Sequence, residues 1–114
     1  MHLYEQHCLA DSSPQLLSAD QIEKYISDIP HWNISDDIKI ISKTFKFKNY
    51  KQTLLFVNAA ASIADKENHH PDIKFGYNSC TINYSTHSAD GLTFFDFICA
   101  SQIDQLITKK EFSA

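Results

Sequence analysis

Residues 72–85, DIKFGYNSCTINYS, decide the fold. Ile73, Phe75 and Tyr77 alternate in one run, and Ile82 and Tyr84 alternate in the next. Period-two alternation marks strands with one buried face. Asn78-Ser79 between the runs supplies a short turn, and a turn that short joins antiparallel strands only. Upstream, residues 31–49, HWNISDDIKIISKTFKFKN, read as a second hairpin that turns at Asp36-Asp37. Ile41, Phe45 and Phe47 share one face of its second strand. Ile38 and Ile40 have the opposite parity, so a bulge or an edge change is expected there.

Helical signals surround the two hairpins. In SADQIEKYISDIP, residues 18–30, Ser18 and Gln21 have capping-box spacing. Ile22, Tyr25, Ile26 and Ile29 form one apolar stripe, and Pro30 ends the helix. Between the hairpins Asn49 caps a longer helix, with Gln52 at its third position. Tyr50, Leu54, Val57, Ala61 and Ala64 recur along one face, and Phe56, Ala60 and Ile63 widen it. That arc exceeds what one sheet face needs and suggests a second partner, such as another subunit. A last helix opens at Thr93 with Asp96 three residues on, and turns Phe95, Ile98, Cys99, Gln102, Ile103 and Leu106 inward. The order is helix-strand-strand-helix-strand-strand-helix. The economical fold is α+β: a four-stranded antiparallel sheet with three helices packed on one face.

Length and composition fit that reading. At 114 residues the chain makes one domain, expected over 16–114, behind a polar, flexible N-terminal tail at 1–15. A net charge of -4 and no dense Lys/Arg cluster point away from nucleic acid and anionic membranes. The lysines at 39, 43, 46 and 48 read as the solvated face of a strand. Cys8, Cys80 and Cys99 are odd in number and form no CxxC pair, which suits free thiols in a reducing compartment. With no signal-like start and no apolar run of membrane length, the cytoplasm is expected.

The candidate chemistry lies at KENHHPD, residues 66–72, and YSTHSAD, residues 84–90. His69 and His70 fall where the long helix gives way to a strand, and His87 falls just past the end of the next strand. A hairpin brings both places to one rim of the sheet. Three histidines with an open position can bind zinc, but helical ligands prefer i,i+4 and strand ligands i,i+2, and neither spacing occurs. A plainer alternative is that the imidazoles only fill a loop and a strand end. Proton transfer is the stronger use, because imidazole exchanges protons near neutral pH. Asp65 or Asp96 would fix a tautomer, and no elbow motif marks a serine nucleophile.

Residues 65–96, DKENHHPDIKFGYNSCTINYSTHSADGLTFFD, resemble the signature of the pterin-4a-carbinolamine dehydratases. The matching points are an acidic residue four before the first His, then His-His-Pro, an aromatic at Tyr77, STH ending at His87, and Asp96 nine residues later. The resemblance extends through FKFKNY, Trp32 and GLT over roughly residues 18–110. It implies the same α+β architecture and a 4a-hydroxytetrahydropterin substrate, dehydrated without a cofactor or a metal. It implies His69, His70 and His87 as acid-base groups. Asn68, Pro71, Ser85, Thr86, Ser88, Asp65 and Asp96 would surround the pterin. Asn68 stands where relatives often carry Asp, and Ile73 where they carry an aromatic, which bears on substrate preference and rate. The resemblance also offers an alternative role, since animal family members serve as dimerisation partners of a transcription factor. A homodimer or homotetramer is the simpler use of the wide apolar arc.

Overall fold

The computed structural model describes residues 2–9 and 13–108. Met1 and residues 10–12 of the expected tail, and residues 109–114 of the expected domain, lie outside the described residues. Helix α1 spans Ala19–Ile26, strands β1 and β2 span Asn33–Ile34 and Ile41–Lys46, and helix α2 spans Tyr50–Glu67. Strands β3 (Asp72–Phe75) and β4 (Ser79–Tyr84) follow, then helix α3 (Phe94–Thr108). Short 3-10 turns occur at Leu3–Glu5 and His87–Ala89. The four strands pair antiparallel in the order β1-β2-β4-β3, so the architecture matches the expected α+β layout.

Alternation sets the two faces of the sheet. Ile41, Phe45, Cys80, Ile82 and Tyr84 are buried toward the helices. Thr44 and Thr81 pair across the outer face through their hydroxyls at 2.8 Å. Phe56 of α2 is fully buried, its ring 4.7 Å from that of Phe45 and 4.9 Å from that of Phe47. Lys43 shares the inner face and reaches Asp104 of α3 at 2.9 Å, where the carboxylate also accepts from Trp32 Nε1. Burial nevertheless holds the Asp104 carboxyl above its ordinary pKa, against the pull of Lys43.

The caps of α1 and α2 form as the sequence predicts. Ser18 and Gln21 bond reciprocally, and Asn49 accepts from the Gln52 N–H at 3.0 Å. The buried stripe of α2 differs from the expected one. Thr53, Phe56, Ala60, Ala64 and Glu67 face the core, whereas Tyr50 and Ala61 are exposed. Two apolar rows lie side by side on this helix, and the sheet takes the row whose Phe56 fits against Phe45 and Phe47.

The first hairpin turns at Asp36-Asp37 as expected, the Ile38 N–H donating to the Ser35 carbonyl at 2.9 Å, whereas the second turns one residue earlier than expected. Ile38 and Ile40 sit in the β1–β2 loop and not in a bulged strand; Ile38 adopts φ 60 and is 49% exposed. Ser35 organises that loop, its Oγ accepting from the Lys39 and Ile40 N–H groups and donating to Asp37. In the second hairpin the Gly76 N–H donates to the Ser79 carbonyl, which places Tyr77-Asn78 at the tip. Moving a turn by one residue moves the pairing by two, so every side chain keeps its face. Tyr77 is consequently exposed, stacked on Tyr50 at 6.4 Å.

Residues 2–9, expected as part of a loose tail, make defined contacts in the structure. The Leu3–Glu5 turn packs on α3 with Leu3 buried. This accounts for the burial around much of α3, where Phe97, Ile98, Cys99, Ala100 and Ser101 are all buried in succession.

Candidate active site

Helix α2 ends on Asn68, which adopts the left-handed conformation at φ 51, ψ 41. The Asn68 and His69 N–H groups then bond back to the Asp65 and Ala64 carbonyls. Asn tolerates this conformation better than most residues with a Cβ, and the turn directs His69 inward. The His69 ring lies on Tyr84, centroids 5.3 Å apart at 15°, with Phe95 edge-on at 6.0 Å. The Tyr84 hydroxyl donates to the His69 carbonyl at 3.1 Å, so β4 fixes both the backbone and the ring.

His69 Nε2 is 2.6 Å from Oδ1 of Asp96, a fully buried carboxylate at the start of α3. Oδ2 accepts from the Thr86 hydroxyl at 2.8 Å and the Thr93 N–H at 2.9 Å. Thr86 gives its one proton to Asp96, so Thr93 donates its own to Thr86 across 2.8 Å. Asp96 thus meets the helix cap and the imidazole together, joining two roles that the spacing alone leaves open. An ionised carboxylate only accepts; the contact therefore places a proton on Nε2 and turns Nδ1 into the group left for chemistry.

Beside His69 lies a cavity of about 180 Å³, lined by Glu67, Asn68, His69, Thr86, Ser88 and Phe95, with Cys8, Leu9 and Pro14 from the N-terminal segment. A second cavity of about 190 Å³ is lined by Ser85, Thr86, His87, Asp90 and Gly91, with Asp37, Lys39 and Ile40 from the β1–β2 loop. Thr86 belongs to both. The loop carrying His87 closes through Thr86 N–H to the Gly91 carbonyl at 2.8 Å, and Asp90 makes its turn at φ 53.

The structure therefore brings His69, Asn68, Thr86, Ser88 and Asp96 together, and sets His87 and Ser85 on the other side of Thr86. His70 and Asp65 are exposed and Pro71 is half-buried; none of these three lines either cavity. A larger cavity of about 580 Å³ lies elsewhere, between the Leu3–Tyr4 turn, Pro30 and the end of α3, and holds none of the three candidate histidines. Among the described residues no three His, Cys, Asp or Glu side chains are grouped as a metal ion would require. No helix among them is long and apolar enough to cross a membrane.

Sequence reasoning missed Tyr84, Phe95 and Glu67. Glu67 is 3% exposed and accepts from the Cys8 N–H and His7 Nδ1, each at 2.7 Å, and from Gln102 Nε2 at 3.0 Å. Burial pushes its carboxyl up, but the bonds from Gln102, His7 and Cys8 outweigh that and hold it below its ordinary value. The signal was present: Glu67 continues the spacing of Phe56, Ala60 and Ala64, and a carboxylate on an apolar stripe needs partners.

Comparison with known proteins converges on one group. The family described as Pterin 4 alpha carbinolamine dehydratase matches residues 15–106. A protein of Legionella pneumophila (strain Corby), provisionally named pterin-4-alpha-carbinolamine dehydratase, is 42% identical over 107 residues, 92% of this chain and 95% of that one. A protein of the same provisional name from Hydrogenovibrio crunogenus is 43% identical over 106 residues, covering 92% and 94%. Among solved structures, the transcriptional coactivator/pterin dehydratase from Brucella melitensis superposes with TM-score 0.77 at 27% identity, over 81% of this chain and 98% of that one. A pterin dehydratase-like protein identified as a RuBisCO assembly factor of the alpha-carboxysome gives TM-score 0.59 at 26% identity, over 66% and 87%.

Proposed function

The chain belongs to the pterin 4 alpha carbinolamine dehydratase family of hydro-lyases, and we propose that it dehydrates 4a-hydroxytetrahydropterin by histidine acid-base catalysis. The observation that carries this reading is the His69–Asp96 pair, desolvated and locked by Thr86 and Thr93 beside a cavity.

Hydroxide is a poor leaving group. An imidazolium therefore protonates the 4a-oxygen as the C4a–O bond breaks, and water departs. The N5 lone pair forms the C4a=N5 bond, and a neutral imidazole then removes the N5 proton to give the quinonoid dihydropterin. His69, His70 and His87 are the groups proposed for these two transfers, with Nδ1 of His69 facing the substrate. Neither small cavity reaches the roughly 300 Å³ usual for a small-molecule site, and they meet at Thr86. A bicyclic ring laid across Thr86 would touch His69 on one side and His87 on the other. Asn68, Ser85 and Ser88 would then hydrogen-bond its edge, while His70, Asp65 and Pro71, which line neither cavity, would approach it from the His69 side.

The role in the cell that suits this chemistry is the recycling, in the cytoplasm, of the pterin left by an aromatic amino acid hydroxylase. The exposed cluster of Tyr50, Phe75 and Tyr77 on the edge of the sheet is proposed to be covered by a second copy of the chain, in a homodimer or homotetramer. The test of the chemistry is stopped-flow dehydration of the carbinolamine. His69→Ala and His87→Ala should each lower kcat by about 10²-fold or more with melting temperature retained. Turnover unchanged in both variants would sink the mechanism.

A further inference from the structure

We propose that residues 6–9 form a strap that completes the wall of the substrate cavity, and that Glu67 is the positioning residue that holds it there. The proposal rests on the pterin-site reading above and adds to it a part of the chain that the histidine motifs do not include.

The strap crosses the end of α2 and the middle of α3, and is tied at three successive residues. The Gln6 carbonyl accepts from Gln102 Nε2 at 3.0 Å. His7 Nδ1 meets Glu67 Oε2 at 2.7 Å, and the Cys8 N–H donates to Glu67 Oε1 at 2.7 Å. Gln102 also donates to Glu67 Oε2, so one buried carboxylate and one amide organise the whole crossing. The Cys8 thiol settles against the Phe95 carbonyl and the Cys99 sulfur, each at 3.9 Å. Its contact with Cys99, and then burial, hold that thiol far above its ordinary pKa, so it acts here as packing and not as a nucleophile.

Placement gives the clasp its consequence. Glu67 and His69 are two residues apart at the end of one helix, and Cys8 and Leu9 line the same cavity as His69. Phe95, which meets the His69 ring edge-on, also carries the carbonyl that receives the Cys8 thiol. An ionised carboxylate this deeply buried is stable only while its donors stay in place. Among the described residues, two of its three donors belong to the strap, so releasing the strap leaves Glu67 undersatisfied. The strap contributes enclosure and not proton transfer, and its loss acts on binding.

The test compares Glu67→Ala, Glu67→Gln, Cys8→Ala and Cys8→Pro in the full chain. Cys8→Pro removes the backbone donor together with the thiol, whereas Cys8→Ala removes the thiol alone and serves as its control. Glu67→Ala and Cys8→Pro should weaken binding of 7,8-dihydrobiopterin, an unreactive analogue, about tenfold. They should raise KM in parallel, with kcat held within about twofold. Glu67→Gln, which retains one acceptor, should fall between, and Cys8→Ala, which keeps the backbone donor, should weaken binding less than Cys8→Pro. Hydrogen exchange should quicken at residues 6–9 while β2 and β4 stay protected. Analogue affinity unchanged despite fast exchange at residues 6–9 overturns the proposal, as does a fall in kcat with KM and Kd constant. Wild-type protein that binds the analogue but turns over no carbinolamine counts against the reaction, while the Kd ratio still decides for or against the strap.

Discussion

Asp96 accepts from donors on three segments: His69 after α2, Thr86 after β4, and Thr93 before α3. Asn at this position keeps the shape and reverses one partner. Its carbonyl would satisfy Thr86 and Thr93, and its amide would then donate to His69 Nε2, forcing the ring proton onto Nδ1. The imidazole would present the wrong tautomer to the cavity. Asp96→Asn should therefore lower kcat by about 10²-fold with KM nearly constant. Urea denaturation should show a stability loss of about 1–3 kcal/mol. Full activity in the variant would show that the carboxylate is a cap alone. The sequence exposed Asp96 as a residue with two readings, because a carboxylate three residues into a helix is a cap whatever else it touches. It could not expose Tyr84 as the platform under His69, since an aromatic on a strand face reads as core wherever it points.

Helix α2 separates stability from chemistry along its length, about 27 Å for 18 residues at the standard rise. Asn49 caps one end and His69 follows the other. Asn49→Ala should cost about 1 kcal/mol in chemical denaturation and leave the dehydration rate unaltered. A comparable loss of kcat would mean that the helix transmits its cap to the site. Caps were legible because they need only a local hydrogen bond between Asn49 and Gln52. The buried stripe was not, because Ala61 and Ala60 are equally apolar and only the position of Phe56 against the sheet chooses between them. The tip of the second hairpin was displaced for a similar reason. Asp36-Asp37 turns where its residues predict, but at Asn78-Ser79 strand pairing, the longer-range constraint, moves the tip back to Tyr77-Asn78.

At the scale of the whole molecule, one edge of the sheet is left uncovered among the described residues. β3 closes the sheet with Phe75 41% exposed and Tyr77 66% exposed, and Tyr50 of α2 beside them. Phe75→Glu combined with Tyr77→Glu should shift light-scattering mass from an assembly to a single chain while the His69 site keeps its turnover. A wild-type protein that is already monomeric at micromolar concentration would rule this out. The antiparallel sheet and the three-helix layer were implicit in two short hairpins, whereas the junction of β2 with β4 was not. The packing of residues 2–9 was not, because a polar segment with one buried leucine has no period to read; its fixed position depends on Glu67 and Gln102, both distant in sequence.

The left-handed turn at Asn68 makes α2 a ruler. Each residue added to or removed from the helix would swing its far end by about 100°, carrying the strap's anchor and the reactive imidazole off target together. Length variation among descendants of this chain is therefore confined to places such as the loop around Ile38, and a gap within α2 would mark a protein that has left this chemistry behind.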